Sequence, residues 1–120
     1  MKTILVVDDE SSIVSMLRFV LSDEGYHVVT ASNGQEGLAL LEESRPDLVL
    51  TDLMMPILDG REMVGRMQAH PSYQSIPVVL MSAGAVMPAA SQSHPTPFLR
   101  KPFQLTDLLE TIERLIGSPE

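Results

Sequence analysis

The chain has 120 residues, with 8 Lys plus Arg against 16 Asp plus Glu for a formal net charge of −8, and it contains no cysteine. That length suits one domain with its own buried core and excludes two. The missing cysteines exclude a disulfide framework, a thiolate metal site and a Cys nucleophile, and they fit a reducing compartment. The cations are scattered singly apart from Arg100-Lys101, which argues against direct contact with nucleic acid. No apolar run reaches the length of a signal-peptide core or a membrane span, so a cytoplasmic, soluble protein with no membrane partner is expected.

Ile4 to Val7 is a short, continuous, β-prone run and predicts a strand buried on both faces. Ile13, Met16, Leu17, Val20 and Leu21 then recur at helical spacing, and Gly25 ends that helix. Tyr26 to Ala31 predicts a second strand. Asn33-Gly34 opens a helix carrying Leu38 and Leu41, which Pro46 closes. Leu48 to Leu50 predicts a third strand, with Asp52 just beyond it. Pro56 and Asp59-Gly60 mark a loop, and a helix from about Arg61 carries Met63, Val64 and Met67. Ile76 to Met81 predicts a fourth strand and Phe98-Leu99 a short fifth. Leu105, Leu108, Leu109, Ile112, Leu115 and Ile116 give a final amphipathic helix.

Strands alternating with helices predict an α/β fold: a doubly wound parallel sheet with helices on both faces. Ligands of such sheets bind beyond the carboxyl ends of the strands. Asp8 and Asp9 follow the first strand, Asp52 the third, Ser82 the fourth and Lys101 the fifth. Their shared edge is the residue-level argument for a site. Each residue alone has a plainer explanation: Asp8-Asp9 as a turn with a helix cap, Asp52 as a loop residue, Lys101 as a solvated lysine. Together they form a set with a chemistry. Clustered carboxylates repel unless a cation sits among them. Hard oxygen ligands suit Mg²⁺, a carboxylate can attack phosphorus, and a lysine, a hydroxyl and the metal can hold the phosphoryl oxygens.

The segments "ILVVDDE", "DLVLTDLMMPILDG", "VVLMSA" and "FLRKPF" occur in that order. With them the chain, from Lys2 to about Ile116, resembles the response regulator receiver domain of two-component signalling. The resemblance implies one receiver domain over residues 1–120. It implies a flavodoxin-like, five-stranded parallel sheet of order 2-1-3-4-5. It implies a signalling switch rather than an enzyme. Asp52 is then the phosphoacceptor, served by a histidine kinase, a phosphotransfer protein or a small phosphodonor. Asp8, Asp9, Asp52 and the backbone carbonyl of Met54 are the implied Mg²⁺ ligands. Lys101 pairs with the phosphoryl oxygens, Ser82 and Phe98 form the switch that relays the change to a downstream effector, and the Lys101-Pro102 bond is cis.

Three departures from the family pattern bear on output. Phe98 stands where tyrosine is commoner, Pro95-Thr96-Pro97 replaces the usual Gly-Ala, and the stretch from Ser82 to Lys101 is a few residues short. Prolines at 88, 95 and 97 leave about Ala89 to Ser93 for the helix between the fourth and fifth strands. A shortened or irregular fourth helix is therefore expected, with a weakened output face and signalling through surfaces such as the first helix. Three other readings fit less well. An aspartyl-phosphate phosphatase carries a second Asp two residues after the nucleophile, where this chain has Met54. A flavodoxin cradles a phosphate in its first loop, where Asp8 and Asp9 would repel one. A pseudo-receiver that binds without phosphorylation is opposed by the intact acidic set.

Overall fold

Ile4, Leu5, Val6 and Val7 are all fully buried, as a strand covered on both faces must be. They belong to β1 (Thr3–Val7), which pairs in parallel with β2 (His27–Ala31) on one side and β3 (Leu48–Asp52) on the other. Beyond β3 lie β4 (Val78–Ser82) and β5 (Phe98–Arg100), giving a five-stranded parallel sheet of order β2-β1-β3-β4-β5. This is a computed structural model, and it describes residues 1–55, 57–83 and 97–119.

Side chains alternate between the faces of a strand, and the core divides accordingly. Ile4, Val6, Leu48, Leu50, Val79 and Met81 pack on one face. They meet Leu17 and Leu21 of α1 (Ser11–Asp23) and Leu108 and Ile112 of α4 (Leu105–Ile116). Leu5, Val7, Val49, Val78 and Leu80 pack on the other face. They meet Leu41 of α2 (Gly34–Ser44) and Met63, Val64 and Met67 of α3 (Gly60–Gln68). The sheet is thus doubly wound, as the alternation predicts.

Local chemistry sets the helix ends. Asn33 accepts from the Glu36 backbone N–H at 2.9 Å, and the Glu36 carboxylate accepts from the Ser32 N–H at 2.8 Å, a reciprocal capping of the first turn. Arg45 closes α2 in the left-handed region at φ 45°. Gly34 lies so close to the β3–α3 loop that an added Cβ would sit 2.5 Å from the Leu58 carbonyl oxygen.

Several strand limits differ from the sequence reading, and β2 begins at His27 rather than Tyr26. β4 starts at Val78 rather than Ile76. The Ile76 N–H closes a turn onto the Tyr73 carbonyl, and Pro77 has no N–H to give the ladder. Asp52 and Ser82 are the last residues of β3 and β4 rather than the residues after them. The expected shortening of the fourth helix, over about Ala89 to Ser93, lies outside the described residues. No helix among the described residues is long and apolar enough to cross a membrane.

Candidate functional site

Asp8 follows β1 directly and is 1% exposed, while Asp52 ends β3 and is 7% exposed. Backbone bonds carry the ladders one step past the strands and so fix where these residues point. The Asp8 N–H donates to Ala31 O at 3.1 Å, Leu53 N–H to Met81 O at 2.8 Å and Lys101 N–H to Ser82 O at 2.8 Å. Gly60 adds a constraint that its place in a turn signal did not disclose. A Cβ there would lie 2.3 Å from the Asp52 carbonyl oxygen. Only glycine lets the start of α3 close over that backbone.

Asp8, Asp9 and Asp52 each offer a carboxylate oxygen, and the three oxygens lie within 4.8 Å of one another. The Lys101 ammonium reaches into the group, 2.8 Å from Asp8 Oδ2 and 3.2 Å from Asp52 Oδ1, with its side chain only 10% exposed. Burial raises the pKa of Asp52 above its ordinary value, the negative charge of Asp8 adds to this, and Lys101 only partly offsets it. Burial alone would lower the Lys101 pKa. The hydrogen bond and charge of Asp8, with those of Asp52, outweigh it and raise the value, so the ammonium stays charged.

The donor set fits a hard divalent cation. Three carboxylates against one ammonium leave two negative charges in a mostly buried pocket. Mg²⁺ prefers few carboxylates and keeps water for its other positions. Asp9 is exposed and gives such an ion an open side.

Of the residues singled out from sequence, Asp8, Asp9, Asp52 and Lys101 come together here. Ser82 is buried at the carboxyl end of β4, next in the sheet to Asp52. Met54 stands at the rim with its side chain 70% exposed. Phe98 begins β5, paired with Leu80, and its half-buried ring packs with the α2 and α3 face of the core. The Lys101–Pro102 peptide bond is cis. Sequence reading missed Glu10, whose carboxylate lies 3.7 Å from the Lys101 ammonium. The run Asp8-Asp9-Glu10 was the available signal, but Glu10 reads there as the start of a helix.

A separate cleft of about 370 Å³, lined in part by Arg45, His70 and Tyr73, lies toward the opposite end of the sheet. It shares no residue with the acidic group.

The response regulator receiver domain family matches residues 4–113 of the chain. An uncharacterized 14.6 kDa protein of Leptolyngbya boryana is 37% identical over 114 residues, covering 92% of this chain and 87% of that protein. The Bacillus subtilis alkaline phosphatase synthesis regulator PhoP is 43% identical over 82 residues, which are 68% of this chain and 33% of the relative. The chain thus spans about a third of that regulator's length. Among solved structures, the chemotaxis protein CheY4 of Vibrio cholerae superposes with a TM-score of 0.86 at 34% identity, covering 96% of this chain and 98% of that one. The receiver domain of a sensor histidine kinase from Pseudomonas aeruginosa matches with a TM-score of 0.87 at 27% identity, covering 98% of each chain. That structure has a magnesium ion coordinated in its active-site cleft, and the acidic group described above resembles such a site. Fold, acidic pocket and family match agree, and the chain belongs to the response regulator receiver domain family, a signalling module of two-component systems rather than an enzyme.

Proposed function

We propose that residues 1–120 work as one receiver in which Asp52 accepts a phosphoryl group from a histidine kinase, a phosphotransfer protein or a small phosphodonor. The observation that carries this reading is the placement of Asp52. It ends the central strand, 7% exposed, with Asp8 and Asp9 beside it and the Lys101 ammonium 3.2 Å away. Of the three carboxylates Asp52 alone is the last residue of a strand, since Asp8 and Asp9 follow β1.

A carboxylate oxygen of Asp52 forms a bond to phosphorus as the bond from phosphorus to the donor's leaving atom breaks. The donor fragment departs with that electron pair, and an acyl phosphate remains on Asp52. Asp8, Asp9, Asp52 and the Met54 carbonyl would hold Mg²⁺, which supplies positive charge to the transferring oxygens. Lys101 would supply a second positive charge, already held in the pocket by Asp8. Its charge is secure at neutral pH because its pKa is raised. Ser82, buried at the end of the neighbouring strand, donates its hydroxyl to a phosphoryl oxygen. Phe98, on the strand next to it, follows inward and carries the change to an effector. Phenylalanine has no hydroxyl to anchor an outward position, so that ring has less to hold it out than tyrosine would.

Incubation with acetyl phosphate and Mg²⁺, followed by intact-mass spectrometry, tests the reading. Wild type gains one phosphoryl adduct, and Asp52→Asn and Asp52→Ala gain none. Normal labelling of Asp52→Ala overturns the assignment.

A further inference from the structure

Lys101 has three carboxylate partners, and the third is outside the set usually needed to hold metal and phosphoryl group. The Glu10 carboxylate lies 3.7 Å from the ammonium. Its side chain is 60% exposed, whereas those of Asp8 and Asp52 are 0% and 9% exposed. Glu10 is also fixed at its backbone. Its N–H donates to Asp8 Oδ1 at 2.9 Å, the other oxygen of the carboxylate that holds Lys101. It occupies the N-cap position of α1 with extended backbone, and its side chain makes no capping bond there. The carboxylate therefore lies on the open side of Lys101, tied to no capping hydrogen bond.

We propose that Glu10 is a positioning residue for phosphotransfer: it draws Lys101 toward the mouth and places there a negative charge that opposes the entry of anionic phosphodonors. The inference rests on the reading of Asp52 as acceptor and goes further, to how the site selects its donor. Two charges in the buried pocket remain to be balanced by a divalent ion, and Glu10 then stands as one more negative charge that nothing in the pocket offsets. An incoming dianion must pass it. Transfer also requires Lys101 to exchange carboxylates for phosphoryl oxygens, and Glu10 competes for that ammonium. A donor presented by a protein can place a cation against Glu10, whereas a free small dianion cannot. Glu10 thereby favours a protein donor over small metabolic phosphodonors.

The test compares wild type with Glu10→Gln, Glu10→Asp and Glu10→Lys in acetyl phosphate with Mg²⁺, across ionic strength. Glu10→Gln should label about three- to tenfold faster at low salt, the gain shrinking below about twofold at 0.5 M as screening takes over. Glu10→Lys should gain more, and Glu10→Asp should stay near wild type. Binding of the phosphoryl mimic fluoroberyllate, followed by NMR without turnover, should tighten in the same order. Thermal melts establish that all four proteins are folded. Equal or slower labelling by Glu10→Gln, or a gain that salt does not alter, overturns the proposal. Wild type that does not label at all would instead overturn the assignment of Asp52, so the two failures are distinct.

Discussion

At the carboxyl end of the sheet three carboxylates share one ammonium, whereas at the amino end four polar groups each donate to an acceptor of their own. There the Lys2 N–H donates to the Pro119 carbonyl at 2.9 Å, and the Thr3 N–H donates to Asp47 Oδ2 at 2.7 Å. The Tyr26 hydroxyl donates to the Gly117 carbonyl at 3.2 Å, and the Lys2 ammonium donates to the Ile116 carbonyl. The residues after α4 are thus tied to the start of β1 and the turn before β2. One pole closes the fold, and the other stores repulsion that a cation or a phosphoryl group with its counter-charges can relieve. Strain at a functional pole has to be offset by the packing elsewhere. Here the buried runs Ile4 to Val7 of β1 and Leu48 to Leu50 of β3, between the poles, supply that packing.

The largest effect on stability should come from removing the Lys101 cation at the acidic pole. Lys101→Met leaves the buried carboxylates of Asp8 and Asp52 without their cation, and this should cost about 3 kcal/mol in metal-free urea unfolding. Mg²⁺ should recover part of the loss in the variant. A metal-free midpoint equal to wild type would show that the carboxylates are not crowded as described.

Next in size is the metal itself. Saturating Mg²⁺ should stabilise wild type by about 1–3 kcal/mol, seen as a higher melting temperature, and Asp9→Ala should lose most of that gain. A wild-type melt indifferent to Mg²⁺ would count against the donor set.

Asp52→Asn isolates the repulsion. The Asp52 carboxyl titrates above its ordinary value, first through burial and then through Asp8, so the folded state holds that proton more tightly than the unfolded chain does. Its contribution to stability therefore declines as pH rises from the ordinary Asp value to the raised folded one, and it stays unfavourable at neutral pH. Metal-free Asp52→Asn should melt higher than wild type at pH 7, and the difference should vanish in acid below both values. A lower melting temperature for the variant at pH 7 would contradict this.

How much of this contrast is legible in the sequence depends on range. β1 and β3 can be read directly, because a strand covered on both faces must be an unbroken apolar run such as Ile4 to Val7. Asp8 and Asp52 can be placed at one edge because each sits at the end of such a run, and Lys101 because it follows the short Phe98-Leu99 stretch. What cannot be read depends on angles between elements. Glu10 meets Lys101 only because α1 leaves β1 in one direction, and the two residues are far apart in the chain. Gly60 looks like an ordinary turn glycine until the start of α3 is set against the Asp52 backbone. The ties at the amino pole use backbone carbonyls of residues 116, 117 and 119, and carbonyls carry no sequence signal. The start of β4 is masked for a local reason, since the apolar Ile76 continues the run although Pro77, whose carbonyl accepts from the Val49 N–H, has no N–H to donate to the ladder.

The smallest effects should come from the amino pole. Tyr26→Phe and Asp47→Ala each remove one hydrogen bond and should cost about 1 kcal/mol, with no change in phosphorylation rate. A labelling defect in either variant would mean that the two poles are coupled, and the contrast between them would have to be redrawn.

The central claim is that Asp52 carries the phosphoryl group, and reductive trapping tests it most directly. Borohydride converts an acyl phosphate side chain to an alcohol, which peptide mass spectrometry locates to a single residue. After incubation with acetyl phosphate and Mg²⁺, the reduced residue should be Asp52, and chelation of the metal beforehand should abolish it. Reduction at Asp8, Asp9 or Glu10, or at Asp52 to the same extent without metal, would contradict the account.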